Sequence, residues 1–236
     1  MEFADRLALF TTLDIWAVTL LLLSWLVSTL VIEHPPASRP SMSKLMAQYR
    51  LNWMNEFVVR EPRIFDSQII GQLRQGTAFF ASASMIAIGG GFALLGNAER
   101  LRGVAQDLTQ SADPVVVWEI KLLVLVLFAA NAFLKFVWSH RLFGYCAVLM
   151  AAVPNDANDP QAMVQANRAG QINVLAARGY NRGLRSVYFG IACAAWLVGP
   201  EALLLAVFFT LGVVLRREFA SQSRAVLMQA SAPTKP

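Results

Sequence analysis

Long apolar stretches are the feature that most limits what this chain can fold into. The first runs from about Leu9 to Ile32 and stops before Pro35 and Pro36, which cannot continue a helix. A helix needs about 20 apolar residues to cross the hydrocarbon core of a bilayer, and this stretch is longer than that. It also exceeds the apolar part of a cleavable signal, so we expect a retained anchor. Further apolar stretches cover Gly76–Leu95, Val115 to about Trp138, and Ser186–Leu215.

Composition supports the same class. The chain is 56% hydrophobic and only 15% charged, whereas a soluble domain carries roughly a quarter charged residues. Its net charge of +5 comes from bases that flank the apolar stretches, which is typical of membrane orientation and not of nucleic-acid binding. We therefore expect an all-α integral membrane protein with one polytopic domain, residues 1–236.

The segment Gly199-Pro200-Glu201 interrupts the last apolar stretch. A turn there would divide the stretch into two short helices and move Glu201 out of the bilayer centre, where an acid costs about 2.5–3.5 kcal/mol. It would also place all the base-rich segments on one side of the membrane, as the positive-inside rule requires. We expect five transmembrane helices in a bacterial inner membrane, with the N-terminus outside and the C-terminus in the cytoplasm. The cytoplasmic segments would be residues 33–75, 139–185 and the tail 216–236.

The first cytoplasmic segment is patterned like an amphipathic helix. Its apolar side chains recur every three or four residues, with bases between them. Such a helix suits the membrane interface, and packing against other parts of the protein explains the pattern equally well. Glu56 and Arg60 have the spacing of a helical ion pair, and Pro62 predicts a break followed by a second, short helix. The apolar positions are Met42, Leu45, Met46, Tyr49, Trp53 and Phe57.

Glycine and small residues mark close packing or irregular backbone. Ala83, Ala87 and Gly91 fall four apart and form a small-residue ridge, which favours tight helix packing and a homo-oligomer. The run Gly89–Gly91 also allows a broken helix beside a cavity. Asp159 before Pro160 predicts a helix start. Beyond it, Gly179 and Gly183 predict a loosened helix.

Polar residues inside the apolar stretches are candidates for a permeation path. Asn131 and Lys135 share a helix face, while the acids Asp14, Glu119 and Glu201 would fall near the outer surface. Acids at a mouth with polar groups deeper in the pore are how many channels select ions. The alternative is that the acids are interfacial, Lys135 extends to headgroups and Asn131 bonds a neighbouring helix.

No other chemistry stands out. The sequence contains no HExxH, P-loop or GxSxG motif, so we expect no enzymatic activity. Cys146 and Cys193 lack metal-ligand or disulfide spacing and are expected to be buried, and no cofactor is implied. The two function hypotheses are a homo-oligomeric channel or transporter, and a non-transporting scaffold or accessory subunit. The second would bind a protein partner or anionic lipid through its cytoplasmic helices.

Several short motifs together resemble a known membrane family. They span most of the chain and include RLNWM, REPRIFD, GTAFFAS, NRGLR and RREFAS, which begin at Arg50, Arg60, Gly76, Asn181 and Arg216. Segments Gly89–Gly96 and Lys135–Phe143 fit as well. The family is the domain of unknown function 599, of bacteria and plants. The resemblance implies a one-domain polytopic membrane protein without an assigned activity. It also singles out a cytoplasmic cluster, which Pro62 interrupts; the cluster consists of Arg60, Glu61, Arg63 and Asp66.

Overall fold

The computed structural model describes residues 9–100, 102–103 and 114–229, and no strand occurs within these ranges. The expected tail beyond Gln229 lies outside them. The helices with both ends described are α1 (Thr12–Glu33), α2 (Met42–Val59), α3 (Ile64–Leu95), α4 (Val115–Ala151), α5 (Pro160–Ala194), α6 (Pro200–Phe219) and α7 (Gln222–Gln229). A short 3-10 helix, Ala195–Leu197, follows α5. The all-α class is therefore confirmed.

Three helices, α1, α3 and α4, are long and apolar enough to cross a membrane. Helices α5 and α6 do not meet the same measure of hydropathy and charge. In both, charged residues lie close to the apolar stretch: Arg182 and Arg185 in α5, Glu201 and Arg216 in α6. The chain is thus a multi-pass membrane protein, whose apolar helices suit a lipid bilayer.

Two helix boundaries follow the local sequence closely. Helix α5 begins at Pro160, and the preceding Asp159 accepts a hydrogen bond from the Gln161 backbone at 2.7 Å, as an N-cap residue does. Helix α2 ends at Val59, before the break expected at Pro62. The second helix expected there is not short. Helix α3 runs unbroken for 32 residues, because Asp66 and Ile70 are buried and anchor its first turns in the protein.

The glycines do not loosen the helices as expected. Gly89–Gly91 lie inside α3, and Gly179 and Gly183 lie inside α5. A Cβ atom added at Gly179 would stand 3.4 Å from the Ser139 Cβ atom, an ordinary contact distance, so Gly179 lies in the interface where α5 packs on α4. The prediction of a loosened helix was wrong, because glycine in a packed interface favours approach of two backbones over local disorder.

The chain divides into two compact units, each with its own apolar core. The first, here the apolar unit, comprises Met1–Thr29, Ser82–Phe133 and Gly183–Val214. Its core includes Leu21, Phe128, Phe189, Trp196 and Leu203, and Gly190 allows α5 to approach the Phe128 side chain. Many of its large apolar side chains are exposed, among them Trp16, Ile86 and Phe209. Exposure of this kind is expected of surfaces that lipid covers.

The second, here the basic unit, comprises Leu30–Ala81, Leu134–Arg182 and Leu215–Pro236, and it holds most of the 20 lysines and arginines. Helices α4 and α5 are joined in it by a hydrogen bond from buried Ser139 to the Ala176 carbonyl oxygen, at 2.7 Å. Helix α2 packs on α5, where Met54 meets Gly170. Met54 and Phe57 are buried while Met46 and Tyr49 are exposed, so part of the amphipathic face rests on protein.

Candidate functional site

The cluster at the turn between α2 and α3 is organised around a buried carboxylate. Asp66 is completely buried, and its Oδ1 atom accepts hydrogen bonds from Arg60 at 2.5 Å and from the Trp53 indole at 2.6 Å. Its Oδ2 atom is buried and has no partner among the described residues. Arg60 pairs with Asp66 and not with Glu56, so the ion pair expected inside α2 was wrong. The salt bridge instead joins the end of α2 to the start of α3.

Arg63 ties three chain segments together at the same turn. Its guanidinium donates to the carbonyl oxygens of Val153 and Pro154, both at 2.9 Å, and to that of Val58 at 3.2 Å. It also lies over the Phe57 ring, 4.5 Å from the centroid. The Val58 and Val153 carbonyls stand at or just beyond the C-terminal ends of α2 and α4, where helix carbonyls lack intrahelical partners. Arg63 is therefore a structural cap.

Glu61 is the member of the cluster that faces outward. It is exposed and lines a shallow pocket with Pro62, Arg63 and Asn155. Three large apolar residues beside the turn are also exposed: Val59 by 68%, Ile64 by 62% and Phe65 by 60%. The turn thus has a buried ionic interior and an outer surface that is apolar and acidic.

Asn131, the deepest polar residue expected in the path, takes part in a helix contact. It is half-buried on α4, and its Oδ1 atom accepts a hydrogen bond from Ser186 of α5 at 3.1 Å. Lys135, four residues further along α4, is half-buried, and its ammonium group has no partner within the described ranges. Of this pair, the structure thus places Asn131 against a neighbouring helix.

The expected outer acids have different surroundings. Asp14 is buried at the start of α1, where its Oδ2 atom accepts from the Thr11 backbone at 3.1 Å, and Thr11 Oγ1 accepts from the Asp14 backbone. This is a capping box, and the Trp196 indole also donates to Asp14 Oδ1, at 2.6 Å. Glu119 and Glu201 are exposed. Helix capping accounts for Asp14, whereas Glu119 and Glu201 are open to their surroundings.

The small-residue ridge is only partly used inside the chain. Gly91 is buried, and a Cβ atom there would stand 2.4 Å from Val126 Cγ2 of α4. Ala83 and Ala87 are exposed, and Gly89 and Gly90 would have free space for a Cβ atom. One end of the ridge therefore packs against α4, and the rest of that face is open.

Several polar contacts between helices were not predicted from the sequence. Arg50 donates to the Asn173 side-chain oxygen at 2.5 Å, and the Asn173 amide lies 3.5 Å from the Cys146 sulfur. Burial lowers the pKa of Arg50 from its ordinary value, and the nearby Cys146 opposes that change. The many amide side chains in the sequence before Arg185 could have indicated such contacts, because a buried amide needs hydrogen-bond partners. Cys146 and Cys193 are both buried and free, as expected.

A second such contact closes the end of α1. Arg182 of α5 forms a two-pronged ion pair with Glu33, whose side chain is only 7% exposed. Hydrogen bonding to Glu33 raises the pKa of Arg182, against an opposing effect of burial. Its two parallel hydrogen bonds, in addition to the charge attraction, hold α5 against the end of α1 in a defined orientation.

These arrangements hold helices together. Among the described residues, no group of three or more histidine, cysteine or acidic side chains could hold a metal ion. The surface of the turn between α2 and α3 carries exposed side chains of two kinds, the acid Glu61 and the apolar Val59, Ile64 and Phe65.

Comparison with known proteins gives a family and no activity. No curated protein and no solved structure matches the chain. A family model described as "Protein of unknown function, DUF599" matches residues 16–223, which is most of the sequence. The chain belongs to this family, as its motifs had indicated.

Proposed function

We propose that this protein is a non-transporting scaffold or accessory subunit of a bacterial inner membrane, without enzymatic activity, that binds a protein partner or anionic lipid through its cytoplasmic helices. The observation that carries the proposal is the hydrogen bond from Ser186 to Asn131. The central polar group of the alternative permeation path is thereby used between two helices. Polar side chains that bond across helices are a usual source of association in membranes.

The proposed topology has five membrane crossings, in which α5 and α6 form a hairpin. In the apolar unit, Phe189 and Trp196 of the α5 region share a core with Leu203 and Val207 of α6. In the basic unit, Ser43 accepts a hydrogen bond from Asn181 of α5 and donates one to Glu218 of α6. Contacts near both ends support two neighbouring helices joined at Gly199, with the basic unit in the cytoplasm.

Topology can be tested with single cysteines. Val198→Cys, at an exposed position beside the turn, is expected to react with a membrane-impermeant maleimide from outside intact cells. Ser223→Cys, exposed in the first turn of α7 just beyond the other end of α6, is expected to react only after the cells are opened. Replacing Cys146 and Cys193 by Ala first removes the natural thiols. Protection of position 198 from outside would refute the hairpin.

A permeation path through Asn131 and Lys135 is the second candidate. It is favoured by one observation: Lys135 is half-buried, and its ammonium group has no partner in the described part of the chain. Flux through liposomes that hold purified wild type, Asn131→Leu or Lys135→Leu separates the two candidates. The scaffold proposal expects no flux above empty liposomes for any of the three. Flux that either substitution abolishes or makes selective for another ion would overturn it.

The open part of the α3 ridge favours a homo-oligomer. Ala83, Ala87 and Gly90 present little bulk on a helix face that the chain itself leaves exposed. Small residues let two helix backbones approach closely in lipid. Ala87→Leu is expected to reduce the oligomer seen by light scattering in mild detergent. Leu205→Ala, at an exposed position on α6, is the control and is expected to leave the mass unchanged.

A further inference from the structure

We propose that the turn between α2 and α3 docks a basic, amphipathic segment of a partner protein, an inference that rests on the proposed scaffold function. The docking surface consists of Val59, Ile64 and Phe65 together with Glu56, Glu61 and Asp156, all of them exposed. These six residues form the turn surface.

The apolar part of the turn surface differs from the lipid-facing helices in its position. Ile64 opens α3, twelve residues before the apolar stretch that begins at Gly76. At 1.5 Å per residue, this distance along the helix is roughly 18 Å. Large exposed apolar side chains mark sites of protein or membrane interaction. Their distance from the apolar stretch and the charge beside them favour a protein.

The turn is rigid enough to act as a preformed site. Arg60 and Trp53 hold Asp66 beneath it, and Arg63 joins it to the end of α4 and the residues that follow. Arg60 also lies over the Phe65 ring, 5.7 Å from the centroid. A surface held in this way loses little conformational entropy on binding.

Charge selects the partner. The exposed acids of the turn surface, Glu56, Glu61 and Asp156, form no ion pair within the described ranges. The two bases of the turn are engaged, Arg60 with Asp66 and Arg63 with backbone carbonyls. The outer charge is thus acidic, although the basic unit as a whole is positive. Such a surface attracts lysine and arginine side chains and disfavours anionic lipid headgroups.

The shallow pocket beside the turn offers a place for one of those basic side chains. Glu61 and Asn155 supply oxygen acceptors on its wall. Arg63 lines it too, but its terminal N–H groups point to carbonyl and amide oxygens. An amphipathic helix with leucines on one face and lysines at its border satisfies both halves of the turn surface.

The test uses full-length protein in nanodiscs of phosphatidylcholine alone, so that no anionic lipid competes for a cationic probe. The probe is a fluorescent amphipathic helix of leucine and lysine, about 15 residues long. A leucine–glutamate peptide of the same pattern is the charge control. We expect the lysine peptide to bind and the glutamate peptide not to bind, with affinity falling as salt rises.

Variants assign the binding to the turn surface. The double variant Ile64→Ser/Phe65→Ser is expected to weaken binding of the lysine peptide at least tenfold, since buried aromatic contacts dominate such interfaces. Glu56→Gln/Glu61→Gln, at exposed positions that leave the fold intact, is expected to remove most of the salt dependence. Val226→Ser/Met228→Ser changes two exposed apolar residues on α7 and is expected to bind like the wild type.

Three results would overturn the inference. They are no binding of the lysine peptide, binding as tight as that of the wild type in both double variants of the turn, and binding that requires anionic lipid. A change of oligomeric mass in Ile64→Ser/Phe65→Ser would identify a second copy of this chain as the occupant and would also overturn it. Liposome flux tests the scaffold function separately. Flux without peptide binding would refute both proposals. The absence of both flux and binding would refute only the docking of a basic segment.

Discussion

The contact between Gly91 and Val126 gives the sharpest test of how α3 packs on α4. A Cβ atom at Gly91 would stand 2.4 Å from Val126 Cγ2, far inside the usual carbon–carbon contact distance. Val126 is buried and β-branched, so its methyl group cannot easily rotate away. Gly90, its neighbour in the same helix, would have free space for the added atom.

The magnitudes follow from two opposing effects. Replacing glycine by alanine inside a helix stabilises it by about 0.8–1.0 kcal/mol, and this gain applies to both positions. Overpacking costs about 1–3 kcal/mol and applies only to position 91. Gly90→Ala is therefore expected to raise the free energy of unfolding. The free energy of unfolding of Gly91→Ala is expected to be about 1–3 kcal/mol lower than that of Gly90→Ala.

The assay is denaturation of the detergent-solubilised protein, followed by circular dichroism at a concentration where light scattering shows monomers. Monomers are required because Gly90 lies on the open face of α3, where an oligomer would change the comparison. Val126→Ala makes room for the new methyl group, so combining it with Gly91→Ala should recover much of the loss. Equal stability of Gly90→Ala and Gly91→Ala would refute the close packing of α3 against α4.

Three further substitutions test the buried polar contacts by the same unfolding assay. Asn173→Leu leaves the half-buried Arg50 without its acceptor and is expected to cost about 1–3 kcal/mol, whereas Gln171→Leu, exposed on α5, should cost little. Trp53→Phe keeps an aromatic ring but removes the indole N–H donor to the buried Asp66 carboxylate, and should cost at least about 1.5–3 kcal/mol. Tyr49→Phe, exposed on α2, is its control, and an equal loss in the two would contradict the role of the indole. Ser139→Ala removes the hydrogen bond to the Ala176 carbonyl oxygen and should cost about 0.5–1.5 kcal/mol, with Ser67→Ala, exposed on α3, as the reference.

The sequence determined the membrane class and the helix boundaries where a single residue enforces them. Apolar length predicted the three membrane-capable helices, because crossing hydrocarbon requires a minimum number of apolar residues whatever the tertiary structure. Asp159 and Pro160 predicted the start of α5, and Pro62 predicted the break after α2, since both effects act on the local backbone. Family membership also followed from motifs that are linear in the chain.

Only the tertiary structure decided which polar residues meet. Arg60 has Glu56 four residues before it and Asp66 six residues after it, and burial of Asp66 beside Trp53 selected the more distant of these two acids. Asn131 could have faced a pore or a helix, and its partner Ser186 lies 55 residues away. Gly179 predicted a flexible point in the sequence, whereas in the structure it packs beside Ser139. In each case the deciding contact is long-range, and helical periodicity shows which residues share a face but not what that face will meet.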